Sequence, residues 1–98
     1  MCTKHNVLMI ADEIQTGYGR TGKFFCSQWE NVKPDIVAVG KSFSGGFMPA
    51  SAALCDAHIM DVIQPGDHGS TYGGNPLAMA TAYAALTTLL EEGMIENA

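Results

Sequence analysis

Three kinds of reactive group stand where a folded chain can bring them together. Asp12 follows an apolar run at residues 7–11, and Lys41 follows a second run at residues 36–39. Ser70 and Thr71 lie in a glycine-rich loop that leads into Asn75-Pro76. A lysine amine stripped of water and held neutral is a nucleophile towards aldehydes. A carboxylate keeps a neighbouring ring nitrogen protonated, and hydroxyls with backbone N–H groups at a helix start bind phosphate. Singly, each group has an ordinary reading. Asp12 serves as a strand-end cap, Lys41 as a solvated surface lysine and Thr71 as a cap on the turn before Asn75.

The elements that must carry these groups are readable. Residues 7–11 and 36–39 are short continuous apolar runs, the pattern of strands buried on both faces, and ligand groups in open α/β sheets gather at such strand ends. Residues 50–55 form a third small apolar strand. Residues 23–32 predict a helix, with Phe25, Trp29 and Val32 at helical spacing as core and Pro34 as its end. Asp56 is placed to cap a helix reaching about Ile63, closed by Pro65-Gly66. Asn75 as N-cap and Pro76 at the first position start a helix to about Glu92, with Met79, Tyr83, Leu86 and Leu90 on one stripe and Gly93 as its stop. The order β-α-β-β-α-α is an α/β pattern. Three doubly buried strands need helices on both faces, and too few helices are present. Residues 1–98 are therefore expected to be part of a larger domain.

Composition and failed motifs narrow the chemistry. The chain has 98 residues, 47% hydrophobic and 15% charged, with net charge -5, as in a globular interior rather than a disordered segment. The five basic residues are scattered and make no nucleic-acid footprint. No apolar run approaches the roughly 20 residues that span a bilayer, and no secretory signal is recognisable. Cys2, Cys26 and Cys55 show no disulfide or zinc spacing, which favours a reducing, intracellular compartment. Gly17-Tyr18-Gly19-Arg20-Thr21-Gly22 has the form of a dinucleotide fingerprint. It starts too far beyond its strand, however, and Asp35 precedes rather than ends the next one. Gly40-Lys41-Ser42 fails as a phosphate-binding P-loop because position 35 is Asp rather than Gly. His5, His58 and His68 form no metal pattern, and only His68 lies near a loop of interest.

Asp12, Lys41 and the Ser70-Thr71 loop together supply what a pyridoxal phosphate site needs: an amine for the aldehyde, a carboxylate for the ring nitrogen and a phosphate cradle. The motifs Asp12-Glu13-Ile14-Gln15-Thr16-Gly17, Arg20-Thr21-Gly22, Pro34-Asp35-Ile36, Gly40-Lys41, Ser44-Gly45-Gly46 and His68 to Leu77 follow one another in the order of a known family. In that order the chain resembles the class III pyridoxal-phosphate aminotransferases, most closely their ornithine-specific branch. The acetylornithine and γ-aminobutyrate branches share much of the scaffold.

The resemblance implies the large domain of a fold type I transferase, a mostly parallel sheet between helices, in a homodimer. It implies amino-acid and 2-oxo acid substrates and a location in the cytoplasm or mitochondrial matrix. Lys41 would hold the cofactor and move the substrate proton, Asp12 would pair with the ring nitrogen, and Gln15 would bond near the ring oxygen. Ser70 and Thr71 would bind phosphate, in this family that of the partner subunit. A non-catalytic interaction module and a dinucleotide binder are the readings from other classes.

Overall fold

The computed structural model describes all residues 1–98. Its centre is a three-stranded sheet of β1 (Ile10–Asp12), β2 (Ile36–Val39) and β3 (Ala52–Cys55), in that spatial order. β1 and β2 run parallel, with Asp12 opposite Ala38. β3 returns antiparallel to β2, with Ala52 opposite Val39. The sheet is therefore mixed, with one parallel and one antiparallel pairing. Residues 40–51 make a turn and an extended stretch with no crossover helix, and the chain returns antiparallel.

β1 is shorter than its apolar run. Val7 and Leu8 are exposed and unpaired by any strand. Pairing begins at Met9, whose N–H donates to Asp35 Oδ2 at 2.7 Å and whose carbonyl accepts from the Asp35 and Ile36 N–H groups. The strands are not buried on both faces within this chain: Ile10 is 64% and Leu54 is 44% exposed.

Residues 23–32 contain a single 3₁₀ turn, Cys26–Glu30, instead of the expected helix. The Cys26 and Ser27 N–H groups are held by Glu13, and Asn31 in a left-handed conformation ends the turn. Trp29 and Val32 stay exposed, so the expected core stripe is not formed. Phe24 and Phe25 pack on Tyr18 instead, with ring centroids at 5.2 and 5.8 Å.

α1 (Ala57–Met60) is a single turn, shorter than expected. Asp56 precedes it without a side-chain cap bond and lies 3.4 Å from Lys33 Nζ, an exposed pair. α2 (Pro76–Glu91) matches the sequence closely. Asn75 Oδ1 accepts from the Ala78 N–H at 2.9 Å, and Pro76 fills the first turn. α2 packs on the 3₁₀ turn Lys41–Ser44 through Ala78 and Ala82, both buried. Of the expected Met79, Tyr83, Leu86 and Leu90 stripe, which lies about 100° round the helix from those alanines, Met79, Tyr83 and Leu90 are exposed and Leu86 is half-buried. The small alanines allow the close approach. After Gly93, Ile95 folds back onto Gly19, where a Cβ would lie 3.2 Å from Ile95 Cγ1.

Candidate active site at the strand ends

The end of β2 delivers Lys41. Val39 is 1% exposed and Gly40 is buried. A Cβ at Gly40 would stand in ordinary contact, 3.4 Å from Ile14 Cγ2 and 3.6 Å from Ser51 Cβ, so the two neighbouring segments lie close beside the strand end. Lys41 opens the 3₁₀ turn with φ 45°, a left-handed conformation that a non-glycine residue holds only under constraint. The constraint is local. The Phe43 N–H donates to Gly40 O at 2.9 Å, the buried Ser44 hydroxyl donates to Met48 O, and Gly45 closes the turn with φ 64°. Lys41 itself is exposed, so these 98 residues do not supply the desolvation that the sequence suggested.

The end of β1 delivers Asp12, whose Oδ1 accepts from the Ile14 N–H at 3.1 Å. Side chains alternate along a strand. Asp12 is exposed, and Glu13 is buried with 3% of its surface accessible. The Glu13 carboxylate accepts from the Thr16 hydroxyl, from the Cys26 N–H at 3.0 Å and from the Ser27 N–H at 2.8 Å. Burial acts to raise its pKa, but the bonds from Thr16, Ser27 and Cys26 outweigh it and hold the carboxyl below its ordinary value of 4.5. Tyr18 stacks on Phe43 at 5.7 Å, which joins the loop after β1 to the Lys41 turn. Burial pushes its hydroxyl above the ordinary value of 10.0.

The loop before α2 completes the site. Ser70 Oγ accepts from the Gly73 N–H at 3.0 Å, and Asn75 Nδ2 donates to Tyr72 O at 2.8 Å. A cavity of about 620 Å³ is lined by Lys41, Ile14, Ser51, Ser70, Gly74 and Asn75, among others. Lys41 and Ser70 therefore line one cavity of a single chain. Ile14 lines the cavity, but Asp12, Gln15 and Thr71 do not. His68 is exposed and outside the lining.

Two contributors escaped the sequence reading. Glu13 sits beside Asp12, and the period-2 alternation of a strand was the signal that it turns inward. The Tyr18–Phe43 stack joins residues too far apart for any local signal. The glycine-rich run after β1 serves turn geometry, with the Gly17 N–H donating to Glu13 O at 2.8 Å and Gly19 and Gly22 at φ 88° and 82°.

A family model described as aminotransferase class III matches residues 1–98. The chain belongs to the class III aminotransferases. Within that family, the mitochondrial ornithine aminotransferase of Rattus norvegicus is 60% identical over 98 residues, which are 100% of this chain and 22% of that protein. The ornithine aminotransferase structure from Toxoplasma gondii, described with partial occupancy of PLP at its active site, superposes with a TM-score of 0.95 at 52% identity. It is matched over 97% of this chain and 22% of its own. The acetylornithine aminotransferase structure from Elizabethkingia anophelis superposes with a TM-score of 0.94 at 58% identity, over 97% of this chain and 24% of its own. The chain thus spans less than a quarter of the length of these class III relatives.

Proposed function

We propose that residues 1–98 are part of the cofactor-binding large domain of a fold type I aminotransferase. The whole protein transfers the δ-amino group of ornithine to 2-oxoglutarate, giving glutamate semialdehyde and glutamate. The observation that carries this reading is the shared cavity of Lys41 and Ser70 at the start of α2, beside the strand end that holds Asp12. Its volume suits a small cofactor with substrate. The residues fit pyridoxal phosphate: an amine on a constrained turn, a carboxylate on the adjoining strand, and a hydroxyl with a helix N-terminus for a phosphate.

When bound, pyridoxal phosphate supplies an aldehyde and a ring that takes up the charge left as a proton leaves the substrate carbon. Lys41 Nζ would hold the aldehyde and, once the substrate amine has displaced it, would as a free amine carry the proton from the substrate's amine-bearing carbon to the cofactor carbon that bore the aldehyde. The Asp12 carboxylate keeps the proton on the ring nitrogen, and Gln15 hydrogen-bonds the ring's oxygen substituent. Ser70 and Thr71 hold phosphate. The cavity of one chain supports a role for Ser70 beside its own Lys41, and Thr71, outside that lining, is free to serve a second copy in a homodimer. The ornithine relatives named mitochondrial support an intracellular protein of the matrix or cytoplasm.

The test is a visible absorbance band from pyridoxal phosphate on the whole protein that carries this chain. The band should survive gel filtration and disappear in Lys41→Ala, and ornithine with 2-oxoglutarate should yield glutamate semialdehyde. A band that is equal in the variant overturns the assignment of Lys41. Acetylornithine is the second donor to assay. The 58% identity to an acetylornithine enzyme matches the values for ornithine enzymes, so these residues do not separate the two. Faster turnover of acetylornithine decides for that reading.

A further inference from the structure

We infer that Glu13 is a positioning residue that sets Asp12 and Ile14 against the Lys41 turn through its buried carboxylate. The inference rests on the proposed function and concerns how the cofactor edge is held.

Glu13 is clamped on every side. Its N–H donates to Ala38 O at 2.9 Å, one step past the β1–β2 pairing, and its carbonyl accepts from the Gly17 N–H at 2.8 Å. Its carboxylate reaches away from the site to Thr16, Cys26 and Ser27. Residues 13–27 thereby become a ring that starts and ends on one side chain, and Gln15 and Tyr18 lie inside it. Asp12 is one peptide before the clamp. Ile14 is one peptide after it, lines the cavity, and has its Cγ2 3.4 Å from where a Cβ on Gly40 would stand.

A carboxylate is the group this place requires. Three donors converge on two oxygens, and hydrogen bonds to an ionised acceptor are roughly twice as strong as neutral ones. An amide in its place presents an NH₂ to donors and leaves at least one of them unpaired in a buried setting. The peptide between β1 and the ring then shifts, and Asp12 and Ile14 shift with it.

The experiment uses the whole protein loaded with pyridoxal phosphate, comparing wild type with Glu13→Gln, Glu13→Asp and Thr16→Val. Displacing Asp12 weakens its hold on the ring nitrogen. The pH midpoint of the visible band should therefore move in Glu13→Gln, and the cofactor dissociation constant should rise on the order of tenfold, a common effect of losing an orienting partner. Thr16→Val, which removes one donor and keeps the anion, should move both less. In the cofactor-free protein, amide hydrogen exchange at Cys26 and Ser27 should quicken in Glu13→Gln. An unchanged midpoint and affinity, with only a lower melting temperature and faster exchange, overturns the inference and leaves Glu13 a structural residue. If Glu13→Gln does not fold, Glu13→Asp decides. It keeps the charge but loses reach, so a shifted midpoint supports the inference and a wild-type midpoint overturns it. A wild-type protein without a Lys41-dependent band overturns the proposed function itself, and this inference with it.

Discussion

Tyr18 lies 5.7 Å from Phe43, ring centre to ring centre, with their planes 21° apart. Tyr18 belongs to the ring of residues that Glu13 closes, and Phe43 belongs to the turn that starts with Lys41. The stack therefore ties the two strand ends together outside the lining of the cavity. Phe43→Ala should cost about 2–3 kcal/mol, below the range for a fully buried phenylalanine because this ring is only half-buried. Phe43→Leu should recover most of it. Urea unfolding of the whole protein reads both, and equal midpoints for Phe43→Ala and wild type would show that the stack bears no load.

The second prediction concerns acid. The hydrogen bonds from Thr16, Ser27 and Cys26 keep the Glu13 pKa below 4.5 despite its burial. A carboxyl that is more acidic folded than unfolded adds stability above its unfolded pKa. That stability fades as pH falls through the lower folded value. The stability gap between wild type and Glu13→Gln should be widest near neutral pH and close below pH about 4. Melting temperatures taken from pH 7 to pH 3 test this, and a gap that stays constant across the range would mean that charge is not what Glu13 contributes.

Gly45 carries the third. It sits at φ 64°, and a Cβ there would come within 3.2 Å of Ala85 Cβ on α2. Gly45→Ala should destabilise the protein by about 1–2 kcal/mol from backbone strain and crowding together. Adding Ala85→Gly relieves the crowding but itself costs about 1 kcal/mol inside α2, so the double variant should remain less stable than Ala85→Gly alone. Equal stability of those two would show that the left-handed backbone carries no strain here.

These residues also show where sequence was sufficient. α2 was legible because its start and stop are local: Asn75 bonds Ala78 three residues on, and Gly93 turns left-handed just past its end. Lys41 was legible because an apolar run ending in glycine marks a strand end. The missing helix at residues 23–32 was not legible, because its first N–H groups are taken by Glu13 from across the ring. The buried face of α2 was misread too. Helical periodicity shows Met79, Tyr83, Leu86 and Leu90 as a stripe, yet Ala78 and Ala82 are the buried residues and only Leu86 of the stripe is half-buried. Lys41 and Ser70 line one cavity, yet the short 3₁₀ turn that carries Lys41 has no sequence period to reveal it.

Asn75 carries the fourth prediction. Its Oδ1 satisfies the Ala78 N–H and its Nδ2 donates to Tyr72 O, so it fixes both the first turn of α2 and the loop bearing Ser70. Asn75→Ala should cost about 1 kcal/mol, the usual loss of an N-cap. Asn75→Asp keeps the cap acceptor and should recover most of that stability, while the loop bond from Nδ2 stays lost. If Ser70 serves the phosphate, both variants should weaken pyridoxal phosphate binding, and equal affinity in Asn75→Asp and wild type would separate the loop bond from the cofactor.

The 98-residue chain by itself should hold pyridoxal phosphate poorly. Lys41 is exposed, and only Lys41 and Ser70 of the five residues assigned to the cofactor line its cavity, with Asp12, Gln15 and Thr71 outside it. The sheet that positions them leaves Ile10 and Leu54 in water, and α2 does the same with Tyr83 and Leu90. Apolar surface of that extent contributes stability only when something covers it. The isolated chain mixed with pyridoxal phosphate should therefore show a band that is lost on gel filtration, and ornithine should give no glutamate semialdehyde. A band that persists in the isolated chain and depends on Lys41 would mean that the strand ends alone are rigid enough to build the site.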